Sequence, residues 1–139
     1  MERRREAEGD PDLLTDAGDG LDELTTTTTS QVWAVDGGRL EQHTVDPERF
    51  GLGGGTAEGL RGRDAAYNAG VVRRLVAGEP GQVRDAVVLN AGAALAVHAA
   101  EDGTHDDRLA AGIDRAVAAL DSGRAQATLD RWISVSASV

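Results

Sequence analysis

The pattern of hydrophobic and polar positions predicts extended structure in the first part of the chain. From Thr25 onward β-branched residues predominate, and residues 31–35 alternate between polar and apolar side chains, as in a strand with one buried face. Asp36-Gly37-Gly38 predicts a hairpin turn, because glycine supplies the positive φ angle that tight connections need. A return strand is expected over residues 39–45, so this part of the chain forms a hairpin or a small sheet.

From residue 64 onward the apolar positions recur at helical spacing. Asp64 is suited to cap a first helix that ends near Ala77, and Gly78 follows it as a residue that commonly terminates a helix. A second helix is expected over residues 82–100, where apolar side chains lie on most sides, which predicts a buried helix. The glycine-rich residues 50–55 match no phosphate-binding fingerprint and are interpreted as a flexible connection.

Two further helices complete the predicted domain. The third has a narrow apolar stripe and is expected to begin at an N-cap formed by Asp106 or Asp107. The fourth is short and is expected to begin at Ser122 or Gly123. The predicted fold class is therefore α/β, with a β-hairpin or small sheet followed by about four helices.

Residues 1–18 differ in character from the rest of the chain. They are charged and contain Pro11 and two glycines, with Leu13 and Leu14 as an apolar pair. Proline lacks a backbone donor, and glycine and aspartate are poor strand formers. This segment is therefore predicted to be a divergent, disordered arm, and residues 19–139 are assigned to the folded domain.

Composition narrows the class of protein. The chain has 139 residues and a formal net charge of −10, with no cysteine and no lysine. The charge argues against a nucleic-acid partner, whose phosphates attract Lys and Arg, and the lack of cysteine excludes disulfides and thiolate metal sites. No apolar run approaches the roughly 20 residues of a membrane span, and no secretory signal follows the charged N-terminus. A cytoplasmic protein without a membrane partner is therefore expected.

Three side chains in the predicted elements require an interpretation. Trp33 lies on the alternating strand and is predicted to be a core residue. His43 lies among polar neighbours on the return strand and is predicted to be solvent-exposed. Asn90 lies in the middle of the apolar second helix, where an unpaired amide would cost on the order of 1–3 kcal/mol. We therefore expect Asn90 to bind a neighbouring backbone group rather than a substrate.

An acidic turn precedes the first predicted strand. Asp19-Gly20-Leu21-Asp22-Glu23 places the adjacent carboxylates of Asp22 and Glu23 next to a glycine-containing bend. Hard divalent cations such as Mg²⁺ prefer oxygen ligands and keep several waters, so one or two carboxylates together with substrate phosphates can hold the ion. The alternative is an ordinary acidic turn without a ligand, and the spacing alone does not distinguish the two.

Several motifs follow the acidic turn in a fixed order. A threonine-rich segment comes first, and Asp46-Pro47 and Phe50-Gly51-Leu52 come next. Further along lie Leu60-Arg61-Gly62-Arg63-Asp64-Ala65-Ala66-Tyr67-Asn68-Ala69, Gly78-Glu79 and Arg84-Asp85-Ala86-Val87-Val88-Leu89-Asn90-Ala91. In this order, from Asp19 to about Trp132, the motifs resemble the C-terminal part of the anthranilate phosphoribosyltransferase family, which acts in tryptophan synthesis.

The resemblance implies an activity and a metal. The family joins anthranilate to the ribose of phosphoribosyl pyrophosphate and releases pyrophosphate, with Mg²⁺ as cofactor. Asp22 and Glu23 match the family's metal-binding pair and are assigned as Mg²⁺ ligands by this resemblance. In relatives, the glycine-rich pyrophosphate loop, the Lys-containing loop and the anthranilate-binding Arg lie in the N-terminal part, and nothing in this chain matches them. No catalytic and no substrate-binding residue is therefore assigned.

Three hypotheses follow from the sequence. In the first, the chain is a truncated anthranilate phosphoribosyltransferase that is inactive alone and acts on phosphoribosyl pyrophosphate and anthranilate only when complemented. In the second, it is a non-catalytic module that pairs with a separate N-terminal half; relatives are homodimers, although their dimer contacts lie largely outside this part. In the third, it is related to pyrimidine nucleoside phosphorylases, against which the Asp-Gly-Leu-Asp-Glu turn argues. The implied architecture is the C-terminal part of the large α/β domain of the nucleoside phosphorylase/phosphoribosyltransferase fold.

Overall fold

The β-structure in the described part of this protein is a three-stranded antiparallel sheet with the strand order β1-β2-β3. The computed structural model describes residues 12–36, 38–99 and 102–138. The strands are β1 (Asp12–Ala17), β2 (Ser30–Asp36) and β3 (Arg39–Val45). The predicted hairpin of β2 and β3 is confirmed, although its turn residue Gly37 lies outside the described residues.

Strand β1 corrects the prediction of a disordered arm over residues 1–18. It pairs with β2 along its whole length, from Asp12 opposite Val35 to Ala17 opposite Ser30. Pairing with the central strand and burial of Ala17 outweigh the poor strand propensity of aspartate, which is a weak and context-dependent preference. The remainder of the predicted arm, residues 1–11, lies outside the described residues.

The two faces of the sheet have different surroundings. Val32 and Val45 face inward and belong to the hydrophobic core. Successive side chains of a strand point to opposite faces, so Trp33 lies on the outer face, where it is half-buried and outside the core cluster. The assignment of Trp33 to the core was therefore wrong. Apolar residues occupy both faces of β2, and the side that carries the helices decides which of them is buried.

Among residues 38–99 and 102–138, four α-helices follow the sheet, after a short 3-10 helix over Pro47–Phe50. They are α1 (Ala65–Val76), α2 (Gln82–Ala99), α3 (His105–Asp121) and α4 (Arg124–Ser136). The predicted cap of α1 is confirmed, because the Asp64 side chain accepts a hydrogen bond from the Tyr67 amide. In the described part of the chain, no helix is both long enough and apolar enough to cross a membrane.

The N-cap of α3 is Thr104, not Asp106 or Asp107 as predicted. The Thr104 hydroxyl accepts a hydrogen bond from the Asp107 amide, and the Asp107 carboxylate accepts one from the Thr104 amide. This reciprocal arrangement is a capping box, in which an acidic residue three positions after the cap contributes as its partner. The sequence signal was therefore present, but the aspartate is the third residue of the helix.

The core forms where α2 and α3 pack against each other and against the inner face of the sheet. A Cβ atom added at Gly112 would clash with the Gly92 carbonyl oxygen, so the two helix backbones touch where both residues are glycine. The prediction that α2 is buried all round was wrong. It buries one stripe, made of Val88, Leu89, Gly92 and Ala93, while Val87 and Ala94 are exposed. One sheet and one helix cover only part of its circumference.

Candidate metal-binding site

The acidic turn connects β1 to the threonine-rich segment that precedes β2. Asp22 and Glu23 are neighbours in this turn, and both side chains are exposed. Within the described ranges, neither carboxylate forms a hydrogen bond or an ion pair with another residue. The turn therefore presents two adjacent, uncommitted carboxylates to the solvent.

Asp19 has a different role from its two acidic neighbours. Its Oδ2 atom accepts hydrogen bonds from the hydroxyls of Thr25 and Thr27, each at 2.6 Å, and its Oδ1 atom accepts one from the Leu21 amide at 3.3 Å. These hydroxyls, Thr25 first and Thr27 second, lower the pKa of Asp19 because they stabilise its anion. Asp19 therefore acts as a fixed anion inside the turn and is not a third free ligand.

A side chain of β1 also holds the turn. The Thr15 hydroxyl donates to the Asp22 carbonyl oxygen at 2.5 Å. Two backbone bonds close the loop around it: the Gly18 amide donates to the Thr29 carbonyl at 3.1 Å, and the Ala17 amide donates to the Leu21 carbonyl at 3.3 Å. The backbone at Asp22 is thus fixed to the sheet, whereas its carboxylate stays accessible.

Asn90 of α2 fixes the other end of the acidic pair. Its Oδ1 atom accepts from the Leu24 amide at 3.0 Å, and its Nδ2 atom donates to the Leu24 carbonyl at 2.8 Å and to the Ala86 carbonyl at 2.9 Å. The expectation that Asn90 binds a backbone group is therefore confirmed. The sequence did not show that this backbone belongs to the residue directly after Glu23.

The threonine-rich segment is a loop rather than the start of a strand. Residues 25–29 were predicted to be extended, but β2 begins only at Ser30, whose hydroxyl accepts from the Thr25 amide at 3.2 Å. The glycine-rich connection packs against this loop, with the Gly55 amide donating to the Thr26 carbonyl at 3.0 Å. A Cβ atom at residue 55 would clash with Thr26 Oγ1, so this close approach requires glycine.

The available ligands fit a hydrated divalent cation. Carboxylate oxygens are the hard ligands that Mg²⁺ prefers, and the ion usually keeps several waters. No group of three His, Cys, Asp or Glu side chains among the described residues could hold a metal ion. Asp22 and Glu23 would therefore hold Mg²⁺ only together with water or with phosphate oxygens of a substrate.

A pair of histidines lies elsewhere on the sheet. His43 of β3 was assigned to the solvent, but it is half-buried and its ring stacks on that of His105 at the start of α3. His43 Nε2 and His105 Nδ1 are buried without a hydrogen-bond partner in the described part of the molecule. Burial first, and the charge of His43 second, lower the pKa of His105. No local pattern connects these residues, because the contact arises only when α3 packs against the sheet.

Comparison with known proteins identifies the fold. Residues 12–126 match the model described as "Glycosyl transferase family, a/b domain". The anthranilate phosphoribosyltransferase of Nocardioides sp. is 58% identical over 119 residues, which are 86% of this chain and 35% of that protein. The crystal structure of the Thermus thermophilus enzyme has a TM-score of 0.72 at 30% identity and covers 89% of this chain and 35% of its own. A Saccharomyces cerevisiae enzyme in complex with PRPP and Mg has a TM-score of 0.79 at 20% identity, over 91% of this chain and 35% of its own.

These likenesses agree with the order of the motifs along the chain. The chain spans about a third of the length of the curated relatives that it matches, 35% for the Nocardioides protein. The predicted α/β fold class, with a small sheet followed by helices, is confirmed. The resemblance to part of an anthranilate phosphoribosyltransferase is also confirmed. Because the family match covers most of its residues, this chain belongs to the glycosyl transferase family and corresponds to its α/β domain over residues 12–126.

Proposed function

We propose that the chain is the C-terminal portion of an anthranilate phosphoribosyltransferase, in which Asp22 and Glu23 bind Mg²⁺. The observation that carries this proposal is the pair of uncommitted carboxylates on a turn whose backbone is held by Thr15, Asp19 and Asn90. A yeast relative of the same fold is known in complex with PRPP and Mg. The biosynthetic role of the relatives favours a cytoplasmic location.

The reaction transfers a ribosyl group between two molecules. The bond from the anomeric carbon of phosphoribosyl pyrophosphate to a pyrophosphate oxygen breaks, a bond to the anthranilate nitrogen forms, and that nitrogen loses a proton. Asp22 and Glu23 would supply carboxylate oxygens for Mg²⁺, which when bound would neutralise charge on the departing pyrophosphate. The hydrogen-bonded turn would set the position of those oxygens.

The chain supplies only part of the machinery that this chemistry requires. It contains no lysine, so it cannot provide the Lys-containing phosphate loop implied by the resemblance. It spans about a third of its relatives, 35% of the Nocardioides protein. We therefore expect no phosphoribosyl transfer by the isolated chain, and transfer only when the missing part is supplied.

The decrease of anthranilate fluorescence in the presence of phosphoribosyl pyrophosphate and Mg²⁺ tests the proposal. The chain is assayed alone and together with the part of the Nocardioides relative that lies outside the matched segment. We expect no turnover by the chain alone, turnover by the mixture, and loss of turnover when the mixture contains the Asp22→Ala/Glu23→Ala variant.

A matched variant separates the site from the general effect of charge. Asp114→Ala/Asp130→Ala also removes two exposed carboxylates, but from α3 and α4, and it should leave turnover of the mixture unchanged. Turnover by the chain alone would contradict the need for a second part. Full activity of the mixture with Asp22→Ala/Glu23→Ala would contradict the role of the carboxylate pair.

The outer face of the sheet supports a second candidate function, that of a module that pairs with a separate polypeptide. Leu14 and Leu40 are 59% and 65% exposed on this face, and Trp33 and Val35 beside them are half-buried. Exposed apolar patches of this kind commonly mark interaction sites. The patch would receive the part of the fold that this chain lacks.

Binding to the same Nocardioides segment, measured by analytical ultracentrifugation, tests this second candidate without requiring activity. Leu14→Thr/Leu40→Thr should weaken the complex by about tenfold or more, because the two substitutions remove apolar surface that the complex would bury. Val72→Thr/Val135→Thr changes two exposed apolar residues of α1 and α4 and should not weaken it. Equal binding by all variants would show that the outer sheet face is not the contact.

A further inference from the structure

We infer that Asn90 is a positioning residue for the carboxylate pair, an inference that rests on the metal-binding role proposed for Asp22 and Glu23. Asn90 lies on α2, sixty-six positions along the chain from Leu24. Its side chain nevertheless binds both backbone groups of Leu24, the residue that follows Glu23. Through Leu24, α2 sets the direction in which the chain leaves the acidic pair.

The Asn90 amide forms three hydrogen bonds of good geometry. The distances to the Leu24 amide, the Leu24 carbonyl and the Ala86 carbonyl are 3.0, 2.8 and 2.9 Å. The bond to Ala86 lies within α2 and holds the side chain against its own helix. The oxygen and one N–H of the amide are thereby directed at Leu24. They bind its backbone N–H and C=O groups, as the backbone of a paired β-strand would.

Leu24 makes this contact consequential because it is only 3% exposed and belongs to the core. Without Asn90, its amide and carbonyl would have to find other partners in a place that water reaches poorly, at a cost on the order of 1–3 kcal/mol. The turn would relieve that cost by moving. Since Asp22 and Glu23 immediately precede Leu24, their carboxylates would move with it.

The other contacts of the turn do not replace this one. Thr15 binds the Asp22 carbonyl, and Asp19 binds the hydroxyls of Thr25 and Thr27. Neither residue forms a hydrogen bond with the backbone of Leu24, and the Ser30 hydroxyl binds the Thr25 amide one residue later. In the described part of the molecule, Asn90 is therefore the side chain whose hydrogen bonds fix the backbone of the residue directly after the carboxylate pair. Outer partners that orient metal ligands typically contribute about 10–100-fold in metal affinity.

Paramagnetic broadening by Mn²⁺, used as a probe for Mg²⁺, tests the inference in the full chain labelled with ¹⁵N. In the wild-type chain, the amide signals of residues 22 and 23 should broaden at lower Mn²⁺ concentrations than those of exposed acidic residues elsewhere, such as Asp114. Asn90→Leu should raise the Mn²⁺ concentration needed for this broadening by about tenfold. Val88→Ala also removes buried contacts of α2 but leaves the hydrogen bonds between Asn90 and Leu24 in place, so it should leave the titration unchanged.

A second variant covers the case in which Asn90→Leu does not fold. Asn90→Asp keeps an oxygen for the Leu24 amide but loses the N–H donors, and its added negative charge would by itself attract Mn²⁺. Weaker broadening in Asn90→Asp would therefore support positioning. If the wild type broadens selectively and the folded Asn90 variants match it or bind more tightly, only the positioning role is overturned. If the wild type shows no selective broadening at residues 22 and 23, the metal role of the pair is overturned, and the positioning role with it.

Discussion

The imidazole rings of His43 and His105 stack with their centroids 4.4 Å apart and their planes inclined by 15°. This contact joins the last strand of the sheet to the first turn of α3. The His105 side chain is only 14% exposed, and Glu41, Asp106 and Arg108 are the charged groups around the pair. Two stacked imidazoles repel each other when both are protonated, so the contact depends on pH.

Stability is therefore expected to fall as the pH decreases below the ordinary histidine pKa of 6.5. Burial and the charge of His43 lower the pKa of His105 in the folded chain, and they outweigh the opposing charge of Asp106. Between the lowered pKa and the ordinary value, the unfolded chain binds more protons than the folded one. Stability is thus highest above this window and decreases through it, by at most about 1.4 kcal/mol per pH unit for one proton. Urea unfolding at several pH values measures this decrease.

Two substitutions attribute that pH dependence to the stacked pair. His105→Phe keeps an aromatic ring beside His43 but cannot be protonated, so it should flatten the dependence below the ordinary histidine pKa of 6.5. His98→Phe changes an exposed histidine near the end of α2 and should not flatten it. A slope that persists unchanged in His105→Phe would assign the effect to other groups.

The contact between α2 and α3 should tolerate no side chain at Gly112. A Cβ atom there would clash with the Gly92 carbonyl oxygen, which is backbone and cannot rotate away. Gly112→Ala should therefore force the helices apart and lower the free energy of unfolding by about 1–3 kcal/mol. Thermal unfolding followed by circular dichroism measures the effect.

Replacing Gly70 in α1 by alanine should have the opposite effect on the free energy of unfolding. A Cβ atom there meets only the end of the Arg74 side chain, at 3.5 Å. Gly70→Ala should stabilise the chain by about 0.5–1 kcal/mol, because alanine loses less conformational freedom than glycine in a helix. If both substitutions stabilised the chain, the helix contact would be looser than the structure shows.

Asp19 should control the order of the threonine-rich loop. Its carboxylate holds the hydroxyls of Thr25 and Thr27, and bonds to a charged acceptor are stronger than neutral ones. Asp19→Ala should speed hydrogen exchange of the amides in residues 25–29 by roughly three- to tenfold. Asp16→Ala removes an exposed carboxylate from β1 and should leave these exchange rates unaltered. If the two variants exchanged at equal rates, Asp19 would not be the residue that orders the loop.

The ion pair between Arg84 and Asp121 should contribute modestly to stability. The Arg84 Nη2 atom donates to Asp121 Oδ1 at 2.8 Å and so links the start of α2 to the end of α3. Asp121→Asn should lower the free energy of unfolding by roughly 1 kcal/mol, because the largely buried guanidinium loses its counter-charge. Asp114→Asn, on the exposed side of α3, should change it by less than about 0.5 kcal/mol. Chemical denaturation of the two variants distinguishes the pair from a general effect of charge.

Local signals predicted the secondary structure well. The hairpin and the start of α1 follow from short motifs, Asp36-Gly37-Gly38 and the cap at Asp64, whose effect requires no distant partner. The start of α3 was misplaced because Thr104 and Asp107 act together, so either residue alone gives an incomplete signal. The strand at residues 12–17 was missed because its pairing partner, β2, outweighs its composition.

The surroundings of individual side chains were harder to predict. The assignments of Trp33 to the core and His43 to the solvent failed because each depends on which face of the sheet receives the helices. The interpretation of Asn90 succeeded because a buried amide must find a partner wherever the chain folds. For Asp22 and Glu23, the sequence indicated two adjacent carboxylates as proposed ligands, whereas the bonds that hold their turn come from elements far apart in the chain.

The bond from Asn90 to Leu24 also has a consequence for the order of folding. Contacts across sixty-six positions form only after the intervening chain has closed its loop, at an entropic cost, whereas the β2–β3 hairpin forms from neighbouring residues. The acidic turn therefore acquires its final shape only once α2 has docked. A cation that requires both carboxylates in place would recognise the completed tertiary structure and not its early intermediates.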